Sequence, residues 1–559
     1  MPKIVLIQPP MEDFYLTAKR TIPYGLACIA GSLRENGFSV EIFDSLAVNK
    51  SKIIELPQAM DSLLNYYGEH DISPFSLFHH FRHYGYSNEH IGSIIREKKP
   101  FLVGISSLFT PYSRQALKTA ESVKRFYPQC KIVMGGHHPT HLPEKVMESK
   151  HVDFVLRGEG EQSMPALAKA LLKNDRHGQE MFKGSRIEES RLEQIPGIVF
   201  RRNDSSLYIN EPAWIKNSAD FSMPAMDLIN WKFYQRKKRK STIVVASRGC
   251  PMKCSYCSVG ADSSPASVFR QRNVEDVVKE LQNQTKEHDI GFVDFEDENL
   301  TLNKKWFLSF LAKTDSIFKN NNIELRAMNG LFPPSLDDEV IKAMKNAGFK
   351  TLNLSLGSTS EKQLAKFQRP DVRKSFEKAL LLAEKHSMET VSYIIAGAPG
   401  QKSSDSVKDL LYLARARTLI GLSIFYPAPG SADYTLCEKK GLLPESFLMM
   451  RSTAFPISDT TTSLESATLL RIARILNFMK SIVDRKEKIP LPKPWNPASI
   501  VNANEKNQTG KKLLSWFLYD GKIRGVTKDN HIFTHAFEKK LTKQFIHGIK
   551  AINLRGVIK

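Results

Sequence analysis

Ser247-Arg248-Gly249-Cys250-Pro251-Met252-Lys253-Cys254-Ser255-Tyr256-Cys257 gathers three of the chain's six cysteines into one short loop. Three thiolates do not fill a tetrahedral zinc site, and the loop offers no fourth Cys or His. They do suffice for three irons of a 4Fe–4S cluster, with the fourth iron left open to a substrate. The loop therefore reads as reactive rather than structural. The competing readings are a zinc knuckle whose fourth ligand lies elsewhere and a set of buried free thiols.

Working outward, a strand over Thr242–Ala246 runs straight into the loop. Five further apolar runs follow: Gly291–Phe295, Glu324–Ala327, Thr351–Leu356, Thr390–Ala396 and Leu419–Phe425. Amphipathic stretches lie between them, among them Val274–Lys286, Asp337–Ala347 (ended by Gly348) and Lys374–Lys385. This rhythm predicts a partial (β/α)6 barrel over 241–435, with its chemistry at the carboxyl ends of the strands. Those ends carry Asp294-Phe295-Glu296-Asp297-Glu298-Asn299, Asn329-Gly330, Gly397-Ala398-Pro399-Gly400 and Pro427-Ala428-Pro429-Gly430.

In front of the barrel, residues 1–175 predict a doubly wound parallel sheet. The β-rich runs Lys3–Ile7, Ser39–Phe43, Phe101–Ser106, Lys131–Met134 and Asp153–Leu156 lack alternation, as strands buried on both faces do. Helices are expected over Tyr24–Asn36, Ser113–Phe126 and Gln162–Leu172. No Gly-x-Gly-x-x-Gly follows the first strand, which argues against a dinucleotide. Three strand ends instead carry Gly104-Ile105-Ser106-Ser107-Leu108, Gly135-Gly136-His137-His138-Pro139-Thr140 and Arg157-Gly158-Glu159-Gly160-Glu161. Glycines there let backbone approach a large flat ligand, and ligands on such sheets bind at that edge.

The Cys-x3-Cys-x2-Cys spacing, with Tyr256 before the last Cys, resembles the radical S-adenosylmethionine (SAM) superfamily. Taken with the ordered glycine loops before it, the chain resembles class B, cobalamin-binding radical SAM enzymes over residues 1–435. The resemblance implies three cofactors: a 4Fe–4S cluster, SAM and cobalamin. It assigns Cys250, Cys254 and Cys257 to the cluster. It puts Tyr256, Asn353, Ser355, Gly397 and Pro399 near SAM, with Arg369 a further polar partner. It puts Ser106, Ser107, Leu108, Gly135, Gly136, His138, Thr140, Gly158, Glu159 and Gly160 around the corrin. The Asp-x-His-x-x-Gly signature of His-ligated cobalamin proteins is absent, so the cofactor is expected base-off with no histidine below cobalt; Leu108 or Phe109 is the residue expected there.

The implied chemistry is reductive cleavage of SAM to a 5′-deoxyadenosyl radical, hydrogen abstraction from an unactivated carbon, and methyl delivery from methylcobalamin. An electron donor such as flavodoxin or ferredoxin is implied, as are anaerobic conditions. Arg248 is expected to steady the loop or the cluster's charge. Two departures stand out. The family's Gly-x-Glu-Ser after the fourth strand is here Ser355-Leu356-Gly357-Ser358, with Gly for Glu. The Glu usual after the Gly-x-Pro-Gly loop is here Gln401. Both remove a carboxylate that could anchor SAM.

Other readings keep part of this picture. A cyclase or ring-rearranging enzyme, such as the anaerobic magnesium-protoporphyrin ester cyclases, would share both cofactors without methyl transfer. A nucleic-acid-modifying methylthiotransferase needs three more cysteines in its first domain, where this chain has only Cys28 and Cys130, so no nucleic acid is expected. A non-catalytic cobalamin or redox sensor would make no 5′-deoxyadenosine.

The remaining segments are less specific. Residues 176–240 read as a packed connector, with a hairpin over Ile198–Arg202 and Leu207–Ile209 and aromatic residues that need burial. Phe78-His79-His80-Phe81-Arg82-His83-Tyr84-Gly85-Tyr86 reads as a surface helix or a lid, or less readily as a metal site. Residues 436–559 predict a mainly helical domain, with one long helix over Ser463–Arg485. The stretch Phe537–Ile552 sets Phe537, Leu541, Phe545 and Ile549 against four lysines, which suits either docking on its own protein or peripheral membrane contact.

The net charge is +21, in part from Arg236-Lys237-Lys238-Arg239-Lys240; it hints at an anionic small molecule or lipid substrate. No apolar run reaches the ~18 residues of a membrane span. The amino terminus turns polar too early for a signal peptide, and the few cysteines suit a reducing compartment, so a cytoplasmic location is expected.

Overall fold

The computed structural model describes residues 2–15, 22–67, 69–78, 80–172, 188–259, 268–454 and 456–557. The chain divides into two compact units. The first comprises Met1–Ile54, Phe81–Arg248 and Ser263–Val293; the second comprises Glu55–His80, Gly249–Asp262 and Asp294–Lys559.

The first unit is built on a seven-stranded sheet. Its parallel strands, in spatial order, are Ser39–Asp44, Lys3–Gln8, Leu102–Ser106, Lys131–Gly135 and Phe154–Leu156. The period-two alternation of these strands decides the layers. Ile4, Leu6, Leu102 and Val133 join a core with Leu26, Ala30 and Leu167 from the helices Tyr24–Glu35 and Gly160–Leu171. Val5, Ile7, Val103, Ile105 and Met134 join the opposite core, with Ile91, Ile95, Ala116 and Ala120 from Asn88–Lys98 and Ser113–Phe126. Helices on both faces make the doubly wound arrangement expected from the unpatterned strands.

Two features of this unit differ from the sequence expectation. The hairpin Ile198–Arg201 and Leu207–Ile209 is not part of a separate connector; it pairs antiparallel with Phe154–Leu156 and extends the first sheet. The register Val155↔Val199 brings a buried Val from each strand into one layer. The segment read as a surface helix instead contains a strand, Arg82–Tyr84, which pairs antiparallel with Met11–Asp13 and with Ser51–Ile53. Tyr84 is buried there, and His83 faces Glu12 at 3.3 Å rather than joining a set of histidine ligands. His79 of that segment lies outside the described residues.

Strand Arg239–Val244 ends the unbroken run before the cysteine loop, and Ile290–Phe295 carries the chain into the second unit. There, Thr351–Gly357, Glu389–Ala396 and Leu419–Ile424 form a parallel sheet, joined to the Glu324–Ala327 strand by the bridge Leu325↔Phe349. The helices Lys304–Asn320, Asp338–Ala347, Arg373–Lys385 and Ser403–Ala414 alternate with these strands. All six strands of the predicted strand–helix rhythm are thus present.

The carboxyl-terminal helices belong to the same unit. Ser463–Asp484 opens on a capping box in which Thr462 and Glu465 satisfy each other's backbone N–H. Lys539–Lys550 buries Leu541, Phe545 and Ile549. Phe545 meets Phe517, and Leu411 closes over Gly548. The apolar face of this helix is therefore covered by its own unit, and the docked alternative stands in place of a free membrane-facing stripe. Among the described residues no helix is long and apolar enough to cross a membrane.

Candidate functional site

In the second unit the cysteine loop is pinned by backbone rather than by regular structure. Ser255 donates its N–H to Phe367 O at 3.0 Å and its hydroxyl to Lys366 O at 3.1 Å, while Ser255 O accepts from Asp433 N at 2.9 Å. Cys257 N closes a turn onto Cys254 O at 3.1 Å. The Tyr256 ring meets Phe367 edge-on at 5.0 Å, which fixes the loop's second half. Cys254 is buried, and Cys250 and Cys257 are half-buried. Burial pushes the Cys250 thiol up, and the neighbouring Cys257 and Cys254 add to the effect.

Free thiols so placed gain from a cationic partner, and a cluster provides one. A cubane asks for one thiolate on each of three separate irons. Among the described residues no group of three His, Cys, Asp or Glu side chains is placed to hold a single ion. The three thiols, one buried and two half-buried on one pinned loop, fit a cluster, with Cys250, Cys254 and Cys257 as its holders.

Side chains also reach these sulfurs. Asn299 hydrogen-bonds Cys250. Arg369 Nη1 lies 3.9 Å from Cys254 Sγ and 3.2 Å from Tyr256 Oη. Its Nη2 donates to Ser355 O at 2.7 Å and to Ser355 Oγ at 3.1 Å. This path explains Gly357, where the family has Glu. Gly357 sits at φ +83°, and a Cβ there would lie 3.2 Å from Arg369 Cδ. The space that a carboxylate side chain would enter is taken by a guanidinium.

Gln401 has a local reason as well. Its Oε1 accepts from Ala398 N at 3.1 Å and its Nε2 donates to Ile395 O at 3.0 Å. A Glu has no donor for the second bond. Gln401 thereby staples the Gly397–Gly400 turn, in which Gly397 and Gly400 take φ of +80° and +74° and Pro399 is buried. Asn353 is buried, and its Oδ1 accepts from Tyr393 Oη at 3.1 Å.

In the first unit the three glycine-bearing strand ends are laced together by backbone. Ser106 lies in register with Gly135. Ser107 N donates to Gly135 O at 2.8 Å, and His138 N to Ser107 O at 3.2 Å. Thr140 Oγ1 donates to Gly136 O at 2.8 Å and accepts from Gly158 N at 2.9 Å, so one hydroxyl ties the fourth loop to the fifth. Gly136 adopts φ 118°, ψ −175°, a region open only to glycine, and a Cβ there would lie 2.6 Å from Ser107 O. Gly158, at φ +86°, bridges to Ala213, where a Cβ would strike the backbone at 2.1 Å.

The edge so formed carries features that suit a flat, amide-fringed ligand. Leu108 and Phe109 are 46% and 54% exposed, two large apolar side chains facing outward just beyond the third strand. Ser107 Oγ is buried without a hydrogen-bond partner among the described residues. An exposed apolar platform beside an unpaired hydroxyl fits a corrin with amide side chains. His138 is only 2% exposed, and burial, with His141 adding to it, brings its imidazole down to about 4. Its Nδ1 lies 3.3 Å from Thr110 Oγ1, within the interior of the first unit.

Two named residues have partners other than those expected. Glu159 accepts from Ile215 N at 2.7 Å and pairs with Arg270 at 2.8 Å and Arg248 at 3.4 Å. Arg248 pairs with Glu161 at 2.5 Å and lies over the Phe221 ring at 4.1 Å. Its charge is spent on this buried network, whose two carboxylates hold the guanidinium charged against the penalty of burial. In the second unit, Arg369 is the cation beside Cys254. Asn299 and Arg270 went unread among the site residues because an Asn at a strand end and an Arg after a loop carry no spacing signal.

Comparison with known proteins agrees with this geometry. Residues 78–168 match the B12 binding domain family, and residues 244–412 match the radical SAM superfamily. An uncharacterized methyltransferase of Pyrococcus horikoshii is 26% identical over 484 residues, covering 85% of this chain and 90% of the relative. The anaerobic magnesium-protoporphyrin IX monomethyl ester cyclase of Cereibacter sphaeroides is 25% identical over 314 residues, covering 56% of this chain and 48% of the cyclase. Among solved structures, the radical S-adenosylmethionine methyltransferase TsrM of Kitasatospora setae, with cobalamin and a [4Fe-4S] cluster bound, superposes with a TM-score of 0.54 at 16% identity, covering 78% of this chain and 75% of that one. With a B12-binding domain and a radical SAM domain in one polypeptide, the chain belongs to the cobalamin-dependent radical SAM family.

Proposed function

We propose that this protein is a cobalamin-dependent radical SAM methyltransferase that acts on an unactivated carbon of a small organic molecule. The observation that carries the reading is the pairing, in one chain, of a three-thiol loop with a glycine-laced strand-end edge. When bound, the cluster, SAM and cobalamin supply an electron, a radical source and a transferable methyl group. Cys250, Cys254 and Cys257 hold the cluster. Arg369 offsets negative charge on the Cys254 sulfur and holds Tyr256 and Ser355 in place. Gly397, Pro399, Asn353 and Ser355 shape the surface assigned to SAM. Gly135, Gly136, Gly158 and Gly160 admit the corrin, Thr140 locks their loops, and Leu108 and Phe109 keep water from its face. A small-molecule substrate and an external electron donor complete the reaction.

The near end-to-end match to a methyltransferase supports methyl transfer over cyclisation, since the match to the cyclase spans about half of it. Methyl-labelled SAM tests the choice. The reading predicts 5′-deoxyadenosine together with an organic product heavier by the labelled methyl group. Formation of 5′-deoxyadenosine with a converted, unmethylated product supports the cyclase-type reading instead.

A further inference from the structure

Arg248 closes a segment of the first unit, and Gly249 and Cys250 follow it directly. Its guanidinium pairs with Glu161 at 2.5 Å and with Glu159 at 3.4 Å. Both carboxylates belong to the turn Gly158-Glu159-Gly160-Glu161, whose glycines are assigned above to the corrin. The residue that launches the cysteine loop is thus fastened by its side chain to the fifth strand end of the first sheet.

The fastening is doubled across a strand pair. Ser247–Arg248 pairs antiparallel with Arg270–Gln271, which sets Arg248 opposite Arg270. Arg270 also pairs with Glu159, at 2.8 Å, and donates to Ile215 O at 2.6 Å. The Phe221 ring faces both guanidiniums, at 4.1 and 5.8 Å. Glu161 and Arg270 are buried, and these charge-assisted bonds are short and directional, so the turn and the strand pair shift together or not at all. Gly249 then stands at φ +87°, and the next residue is a cluster cysteine.

Two ligands therefore act on one piece of chain. A flat ligand against Gly158 and Gly160 orders the turn, and through Glu159 and Glu161 it orders Arg248. A cluster on Cys250 orders the same segment from its other end. The entropy of ordering that segment is lost once, so the cofactor that binds first lowers the cost for the second.

We propose that Arg248 is a positioning residue that couples the two cofactors, so that cobalamin and the cluster each tighten the hold on the other. The coupling runs along the chain, from the Gly158–Glu161 turn through Arg248 and Gly249 to Cys250. The proposal rests on the function proposed above and goes beyond it, because methyl transfer needs both cofactors bound but no linkage between their affinities.

Anaerobic equilibrium dialysis of the full-length protein against hydroxocobalamin, with the reconstituted cluster and without it, reads the coupling as a ratio of dissociation constants. Cluster-free native protein is expected to bind cobalamin about five- to tenfold more weakly than cluster-loaded protein, a factor ordinary for linked sites. Arg248→Met removes the charge from a long side chain, and Glu161→Gln, nearly the same shape, removes the nearest partner. Both variants are expected to bind each cofactor and to bring the ratio to within about twofold of one. A general loss of stability weakens binding in both states and leaves the ratio unchanged, so the ratio separates positioning from folding. Equal cobalamin affinities in the two native states overturn the proposal. So does a native ratio in Glu161→Gln, which keeps the test decisive if Arg248→Met does not fold. A native protein that takes up only one of the two cofactors sinks the function proposed above, and the coupling with it.

Discussion

The two candidate cofactor regions are made of opposite materials. Around Cys250–Cys257 the chain works with side chains: three thiols, an amide from Asn299 and a guanidinium from Arg369. At the strand ends of the first unit it works largely by leaving side chains out, so that Gly136 and Gly158 can take conformations no other residue adopts comfortably. Where function is carried by ligand atoms, losing one is all-or-none. Where it is carried by backbone shape, losing one glycine strains the edge by degrees.

The largest expected effect follows from the first kind of construction. Cys254→Ala removes one of three covalent anchors and leaves Arg369 facing no sulfur. Iron and acid-labile sulfide should fall to background after reconstitution, and cobalamin binding should persist. Loss of both cofactors together would erase the contrast between the two regions.

Arg248→Ala comes next. Arg248 sits between Glu159 and Glu161, with side chains 19%, 10% and 6% exposed. Removing the cation leaves Glu161 buried without it, while Glu159 keeps Arg270, a change of about 3–5 kcal/mol in stability. Chemical denaturation of the full chain checks this; a loss below about 1 kcal/mol would place the network with solvent-screened surface pairs.

Gly136→Ala tests the backbone edge directly. The new Cβ would meet Ser107 O at 2.6 Å in a region of backbone space that only glycine occupies. Strain of about 1–3 kcal/mol translates to roughly five- to a hundredfold weaker cobalamin binding, with cluster content unchanged. Undiminished cobalamin affinity would show that the fourth loop does not shape that site.

The smallest effect is a pH dependence. Folded His138 is held at about 4 by burial, against 6.5 as the ordinary value. The unfolded chain therefore takes up the proton first, and stability is full above pH 6.5 and lost as pH falls toward 4. His138 accounts for about 2 kcal/mol of that loss by pH 5. His138→Gln should lose less urea resistance between pH 7 and pH 5 than the native chain. Half-buried His141 shifts in the same direction and keeps part of the slope.

The comparison also explains what could be read in advance. The five parallel strands and their helices were legible to within a few residues, because burial on both faces leaves an unbroken apolar signature. The cysteines were legible because thiolates at Cys-x3-Cys-x2-Cys spacing serve few other ends. The hairpin at Ile198–Ile209 was seen, yet its membership in the first sheet was not, since pairing partners across forty residues leave no local mark. Arg82–Tyr84 was misread as helical because its neighbours mix aromatic and histidine residues without alternation. The exchange of Glu for Gly357 looked like a lost anchor; only the side-chain path of Arg369 shows what fills that space.

Both cofactor regions lie in one chain, which sets a fixed ratio of iron to cobalt. Anaerobic reconstitution of the full-length protein with iron, sulfide and hydroxocobalamin, followed by counting of iron, sulfide and cobalt per chain, tests it most directly. About one 4Fe–4S cluster and about one cobalamin per chain are expected, with the cluster alone lost in Cys254→Ala. A protein that takes up the cluster and leaves cobalamin in solution would contradict it.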